Sequence, residues 1–344
     1  MEQQRLRQLR LARGLSLDAL AREMDGIVTK QALSKYEQGK AKPSPEVLPK
    51  LAAALGVSPE QLLKESEIDV RFIAYRKGSR LTKRDQSKIE NSVRELLERR
   101  VELAELTGYA ASDVPLQGLA IRKTDDAERM AEKLREEWDI GREPIANVSL
   151  LLEDHLVHVL EIEASEKFDG LSAVAMRHPN EVAATAAITR SGLVGERQRL
   201  SLAHELGHQV LKVPRKIDEE EAAFRFAGAF LAPADVLRKE VGQRRTQLRA
   251  DELFLLKQRF GMSIQALLFR LRELGIINES HYRQWFREIG RLGWRKSEPQ
   301  PLPREQPQWL RRAVLRAVAE KSISEAEAFE RFGIDIDSGG QGHP

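Results

Sequence analysis

Residues 204–208 read His-Glu-Leu-Gly-His, and this pentapeptide constrains the fold more than any other stretch of the 344-residue chain. Two imidazoles four positions apart lie on one face of an α-helix and can both reach a single zinc ion, while Glu205 between them can act on water as a general base. With 7 His and 53 acidic residues in the chain, the pattern His-acid-x-x-His should arise by chance only about 0.02 times, which favours a metal site over an ordinary pair of helix histidines. Catalytic zinc takes three protein ligands and an open fourth position. The run Asp218-Glu219-Glu220-Glu221, which opens the apolar stretch AAFRFAGAFLAP, offers the third as a carboxylate at the start of a helix packed beside the first. The competing reading of that run is a solvated first turn, where acids are favoured by the helix dipole.

The composition narrows the chemistry further. With no cysteine in the chain there is no disulfide scaffold, thiolate zinc finger, iron–sulfur cluster or cysteine nucleophile, so any metal rests on His, Asp and Glu. No stretch approaches 18 uncharged apolar residues, and MEQQRLRQLR has no apolar run behind its arginines; membrane spans and a secretory signal are excluded, and a cytoplasmic protein is expected. Net charge is only +3, but basic residues concentrate in three stretches: 1–66, 71–100 and 283–316. Basic ends around a more acidic centre suit a polyanion-binding module joined to a module with other work, or else solvated helix faces.

Apolar spacing and turn signals predict five helices within residues 1–66, with Ser16 capping the second and the Ser44-Pro45 and Ser58-Pro59 pairs starting the last two. The charged stretch from Val70 to Leu106 reads as helical, and the region from Ser112 to Gly118 as a junction. Further helices are expected over 124–138 and 146–154, and strands at 158–163, 174–176 and 182–188. From Glu196 onward the chain is again helical. The expected fold is mainly α with a small β-sheet (α+β). Its expected division is a five-helix bundle over 1–66, a basic helical linker over 67–120, a metal-binding domain over 121–290 with a helical C-terminal part, and a Pro/Arg-rich tail over 291–344.

Reading duplex DNA with a helix requires a rigid small bundle that presents a polar, donor-rich face to the major groove while basic neighbours clamp phosphates. Thr29, Lys30, Gln31, Ser34 and Lys35 supply such a face, and Arg10, Arg13, Lys40 and Lys42 are placed to lie along the backbone. The segments LRQLRLARGLSLDALAREM and QALSKYEQGKAKPSPEVLPKLAAALGVSPEQLL resemble the XRE (Cro/C1-type) helix-turn-helix domain over residues 5–63. The turn REMDGIVT is about two residues longer than the usual pattern. A bundle that mediates only protein contacts is the alternative.

The stretch ERQRLSLAHELGHQVL, followed by EEEAAFRFAGAFLAP and preceded by a similar lead-in from residue 125, resembles the ImmA/IrrE family of zinc metallopeptidases, over about residues 125–235. The resemblance implies a zincin-like domain in which His204, His208 and Glu220 hold zinc and Glu205 is the general base; Glu219 and Glu221 remain alternatives to Glu220. Phe224 stands where the family more often has Asn or Asp. His178 is one candidate for stabilising an oxyanion, whereas His155 and His158 read as structural. Members of that family cleave repressor proteins in stress responses or mobile-element control. The resulting expectation is a transcription regulator that binds double-stranded DNA and carries a zinc endopeptidase acting on a repressor, an antitoxin or itself. A non-proteolytic regulator, with the same domain as sensor or partner-binding module, is the alternative. A homodimer would let two such bundles read two half-sites, although no heptad seam marks one. Trp285, Trp294 and Trp309 read as packing residues ahead of nucleic-acid contacts.

Overall fold

The chain opens with α1 (Gln3–Ala12), α2 (Leu17–Glu23), α3 (Lys30–Glu37), α4 (Val47–Ala54) and α5 (Pro59–Leu63). The computed structural model describes residues 3–73, 81–109, 116–177 and 181–336. Side-chain oxygens of Ser16, Thr29 and Ser58 accept from the backbone N–H three residues on and so start α2, α3 and α5. Ser44 does not cap α4: its carbonyl, not its hydroxyl, accepts from Val47 and Leu48 N–H, and the helix begins later. The turn between α2 and α3 passes through left-handed Asp25 and Gly26 (φ 52° and 74°), which Asp and Gly tolerate best. Leu6, Leu9, Leu20, Leu33, Leu51 and Leu62 close the core of this bundle with no exposed surface.

The remaining elements in chain order are β1 (Asp69–Ile73), α6 (Lys83–Thr107), β2 (Leu119–Ala120), α7 (Asp126–Glu137), α8 (Val148–Asp154), β3 (Val157–Ile162), β4 (Gly170–Arg177), β5 (Glu181–Arg190), α9 (Gly195–Val210), β6 (Leu211–Lys212), α10 (Glu219–Leu231), α11 (Ala234–Val241), α12 (Ala250–Phe260), α13 (Ile264–Glu273), α14 (Glu279–Arg291), α15 (Trp309–Ala319) and α16 (Glu325–Phe332). The architecture is α+β. One four-stranded sheet runs β1-β4-β5-β3, antiparallel except for the parallel β5–β3 pair, and a two-residue parallel ladder joins β2 to β6.

Alternation along the strands divides two cores. Leu160 and Ile162 of β3, with Ala184, Ala186 and Ile188 of β5, meet Ile89, Val93, Leu97 and Val101 of α6. Val157 and Val159 of β3, with Ala187 of β5, face Leu202, Ala203 and Leu206 of α9. The sheet is therefore covered by α6 on one face and α9 on the other.

Two stretches depart from the sequence reading. The region expected as a basic helical linker supplies β1, paired with β4 from Asp69–Met176 to Ile73–Ser172, and α6, whose apolar stripe closes a core. The region expected as a Pro/Arg-rich tail contains α15 and α16, packed on Leu103 of α6 through Trp309, Val314 and Phe332. Its extended part is anchored by the buried Glu305, which accepts from Val148 and Ser149 N–H at 3.1 and 2.8 Å and pairs with Arg199. These contacts satisfy the N-terminal donors of α8, which have no partner within that helix. Among the described residues no helix is long and apolar enough to cross a membrane.

Candidate functional site

Helix α9 is buried along most of its length, and its pairing with α10 brings the chemistry together. At Gly207 a Cβ would sit 3.1 Å from the Phe226 ring and 3.3 Å from the Ala223 Cα, so the absent side chain lets the two helix backbones approach closely. Ala223 lies one turn after Glu220, and that close crossing carries the Glu220 carboxylate to the histidines. Asp218 caps α10, accepting from Glu220 and Glu221 N–H at 2.9 and 3.1 Å, which fixes the first turn.

His204 Nε2 and His208 Nε2 are 3.0 Å apart. The Glu220 carboxylate lies 3.4 Å from the first and 3.6 Å from the second. Glu219 reaches only the other ring nitrogen of His208, at 3.5 Å, and Glu221 lines a neighbouring cavity. Among the described residues these three side chains form the one His/Asp/Glu group with ligand atoms close enough for a metal, all within 4.8 Å. The donor set fits such an ion: bonds of about 2.0–2.1 Å in a tetrahedron place donors about 3.3 Å apart, and the observed separations bracket that edge. Burial works against a proton on His208, but Glu220, Glu205 and Glu219 outweigh it and raise its pKa.

Glu205 is 5% exposed, and burial is the largest influence on its carboxyl, raising its pKa against the lowering pull of His204, His208 and Ser172. Ser172, fully buried on β4, donates to Glu205 Oε2 at 2.8 Å. Gly170 on the same strand leaves room for the other oxygen, since a Cβ there would lie 2.5 Å from Oε1. The cleft in front of His204 and Glu205 is walled by Leu81, Phe168, Asp169, Leu200 and Phe224. Phe224 is 42% exposed with its ring 4.1 Å from that of His204.

Ser172 and Gly170 escaped the sequence reading, because their contact with α9 depends on how the sheet packs. His178 lies outside the described residues. His155 stacks on Trp138 at 4.0 Å, and His158 is buried edge-on to Trp309 at 4.3 Å; both are remote from the three candidate ligands in role. Trp309 is buried, and Trp285 and Trp294 pack against the main core.

The second candidate surface is the N-terminal bundle. Thr29, Lys30, Gln31 and Lys35 are exposed and Ser34 is half-buried. Thr29 spends its hydroxyl oxygen capping α3, Ser34 accepts from Gln38 at 3.0 Å, and Lys30 pairs with Asp18 of α2 at 2.7 Å. The expectation that Arg10 and Arg13 clamp phosphates is corrected. Arg10 is buried and forks onto Glu37 at 2.6 and 2.9 Å, and Arg13 joins Leu55 O to Glu95 of α6. Both guanidiniums hold helices together.

Residues 6–62 match the family model described as a helix-turn-helix, and residues 190–272 match a peptidase-family model described as the IrrE N-terminal-like domain. The second span contains His204, Glu205, His208 and Glu220. No curated protein matches the chain.

Proposed function

For a chain that joins an XRE-type helix-turn-helix domain to an ImmA/IrrE-like peptidase domain, we propose a DNA-binding transcription regulator carrying a zinc endopeptidase. The observation that carries the reading is the convergence of His204, His208 and Glu220 beside a buried Glu205 that Ser172 orients. The imidazole Nε2 atoms of His204 and His208 and the Glu220 carboxylate would hold zinc, beside the cleft that Phe224 borders. Bound there, zinc polarises the scissile carbonyl and makes water a stronger acid.

Glu205 takes the proton from the attacking water and delivers it to the leaving amine. Burial raises its pKa above the ordinary carboxyl value, in the direction that eases the half of the exchange in which it carries the proton. Ser172 holds Oε2, so that Oε1 is the oxygen free to turn toward the cleft. In the N-terminal domain, Gln31 and Lys35 on α3 read base edges and phosphate, with Thr29, Lys30 and Ser34 beside them. The substrate is a protein partner of the repressor or antitoxin kind.

The test is zinc content by elemental analysis together with cleavage of a co-expressed XRE-type repressor. Wild type should hold about one zinc per chain, and His208→Ala and Glu220→Ala should lose or weaken it. Glu205→Gln should retain zinc and lose cleavage by about 10²–10⁴-fold. Zinc that never loads, or a zinc-loaded wild type that cleaves no such repressor, overturns the peptidase, and the second outcome would leave the domain as a sensor. Cleavage that survives Glu205→Gln overturns the role given to Glu205.

A further inference from the structure

The cleft at His204 does not end at the candidate metal ligands. Arg197, Leu200 and Phe224 are shared between it and a larger, solvent-open cavity of about 640 Å³ bordered by α9, α10, α13, α14 and the chain after α14. Val194, Phe224 and Phe269, all large apolar side chains between 38% and 44% exposed, line this one cavity together with Leu200, Met262 and Trp294. Isolated exposed apolar residues are ordinary, but a concave cluster of them marks a binding surface. The volume falls within the range of small-ligand sites, roughly 300–1,000 Å³.

We propose that this cavity is the specificity pocket of the peptidase, taking a bulky apolar or aromatic side chain of an extended peptide whose scissile bond lies at Glu205. The proposal rests on the peptidase reading of the adjoining site. Its occupant follows from continuity: a chain lying across Phe224 at His204 passes directly into the cavity. Phe224 belongs to both spaces, so it covers the metal side of the cleft and forms the threshold of the pocket. The same position explains an aromatic residue exposed where a polar one would be better solvated. Charged residues also line the cavity, but Glu196, Arg197, Arg270, Glu273 and Glu298 are held in ion pairs, so a charged side chain lying against Leu200 and Phe269 would lose hydration and the apolar patch selects by exclusion as well as by contact.

The experiment uses the full-length zinc-loaded protein with two fluorescently labelled alanine-based decapeptides that differ only in a central Phe or Asp. Binding is read by anisotropy on Glu205→Gln, and cleavage by mass spectrometry on wild type. The Phe peptide should bind at least 10-fold more tightly than the Asp peptide and be cut beside Phe. Ala266→Trp, which fills the cavity from α13 at a half-buried position, should abolish that preference; Phe269→Ser, at an exposed position, should weaken it without disturbing zinc content. Equal binding of the two peptides, or a preference indifferent to both variants, overturns the pocket. A preserved binding preference with no cleavage of any peptide keeps the pocket and removes the peptidase reading.

Discussion

Lys257→Met tests whether the start of α9 is held by charge. The Lys257 ammonium is fully buried, 2.6 Å from Glu196 Oε1 and 3.2 Å from Glu298 Oε2, and both carboxylates are at most 5% exposed. Glu196 also accepts from Leu302 N–H at 2.9 Å, and Glu298 accepts from Ile264 and Gln265 N–H at 2.8 and 3.1 Å, capping α13. Methionine matches the volume but leaves two buried carboxylates without their cation, and removing one partner of a buried pair costs about 3–5 kcal/mol. Both carboxylates lie at the positive end of a helix, Glu196 in the first turn of α9 and Glu298 at α13, but Glu298 accepts from two backbone N–H groups and Glu196 from one, so Glu196 is the larger liability, and adding Glu196→Gln should recover roughly half of the loss. All four tryptophans lie at or beyond residue 138, so urea unfolding followed by tryptophan fluorescence reports this half of the chain and not the N-terminal bundle. A Lys257→Met cost below about 1 kcal/mol with an unchanged denaturant slope would refute the reasoning, because it would mean that water already screens the pair.

Burial lowers the His158 pKa to about 3, with Arg100 adding to the effect. Below about pH 6.5 the unfolded chain therefore binds a proton that the folded chain refuses, and stability should fall with pH by up to about 1.4 kcal/mol per unit. Urea midpoints between pH 7 and 5 should lose part of that slope in His158→Gln, and an identical slope would contradict it. Gly195→Ala should loosen the extended segment before α15, because its Cβ would meet Pro303 O at 2.2 Å and Leu302 O at 2.9 Å. The expected cost is about 1–3 kcal/mol, read as faster tryptic cutting at Arg304; an unchanged cutting rate would argue against it. Lys35→Ala should weaken binding to a random 30-base-pair duplex and flatten the dependence of log affinity on log salt by about one, and an unaltered slope would take Lys35 off the interface.

The helical pair His204–His208, the acid run opening α10 and the five-helix N-terminus were legible because each is a local pattern. The spacing that puts two side chains on one helix face is the same spacing that the sequence prints. Ser172, Gly170 and the pairing of Arg10 with Glu37 or Arg13 with Glu95 carry no such signal, since each depends on elements that meet only after folding. Basic residues near a helix-turn-helix were read as phosphate contacts because composition reports charge and not its partner. The β1 strand was hidden for a related reason: Val70, Arg71 and Phe72 alternate, but a highly charged stretch around them favoured a helix. The Pro-rich run before α15 looked like a tail because composition cannot show that Val148 and Ser149 N–H need the Glu305 carboxylate.

Those missed contacts decide how the two halves of the molecule relate. One face of α6 covers the sheet through Ile89, Val93 and Leu97, while its polar face receives α1 through Arg5 and Gln8 on Glu98, Arg13 on Glu95, and Ser92 on Ala12 O at 3.1 Å. The pKa of Glu95 is lowered: burial opposes ionisation, but Arg13 and Arg99 outweigh it, so the carboxylate stays charged on the N-terminal bundle. Just before α6, Leu81 forms a wall of the cleft at His204 and Glu205, and Arg84 in the first turn of α6 donates to Gly14 O at 2.7 Å. The segment read as a linker is thus the element that joins α1 of the N-terminal bundle to the sheet carrying Ser172. Any movement of the cleft wall at Leu81 must be accommodated within one turn of a contact to the N-terminal bundle.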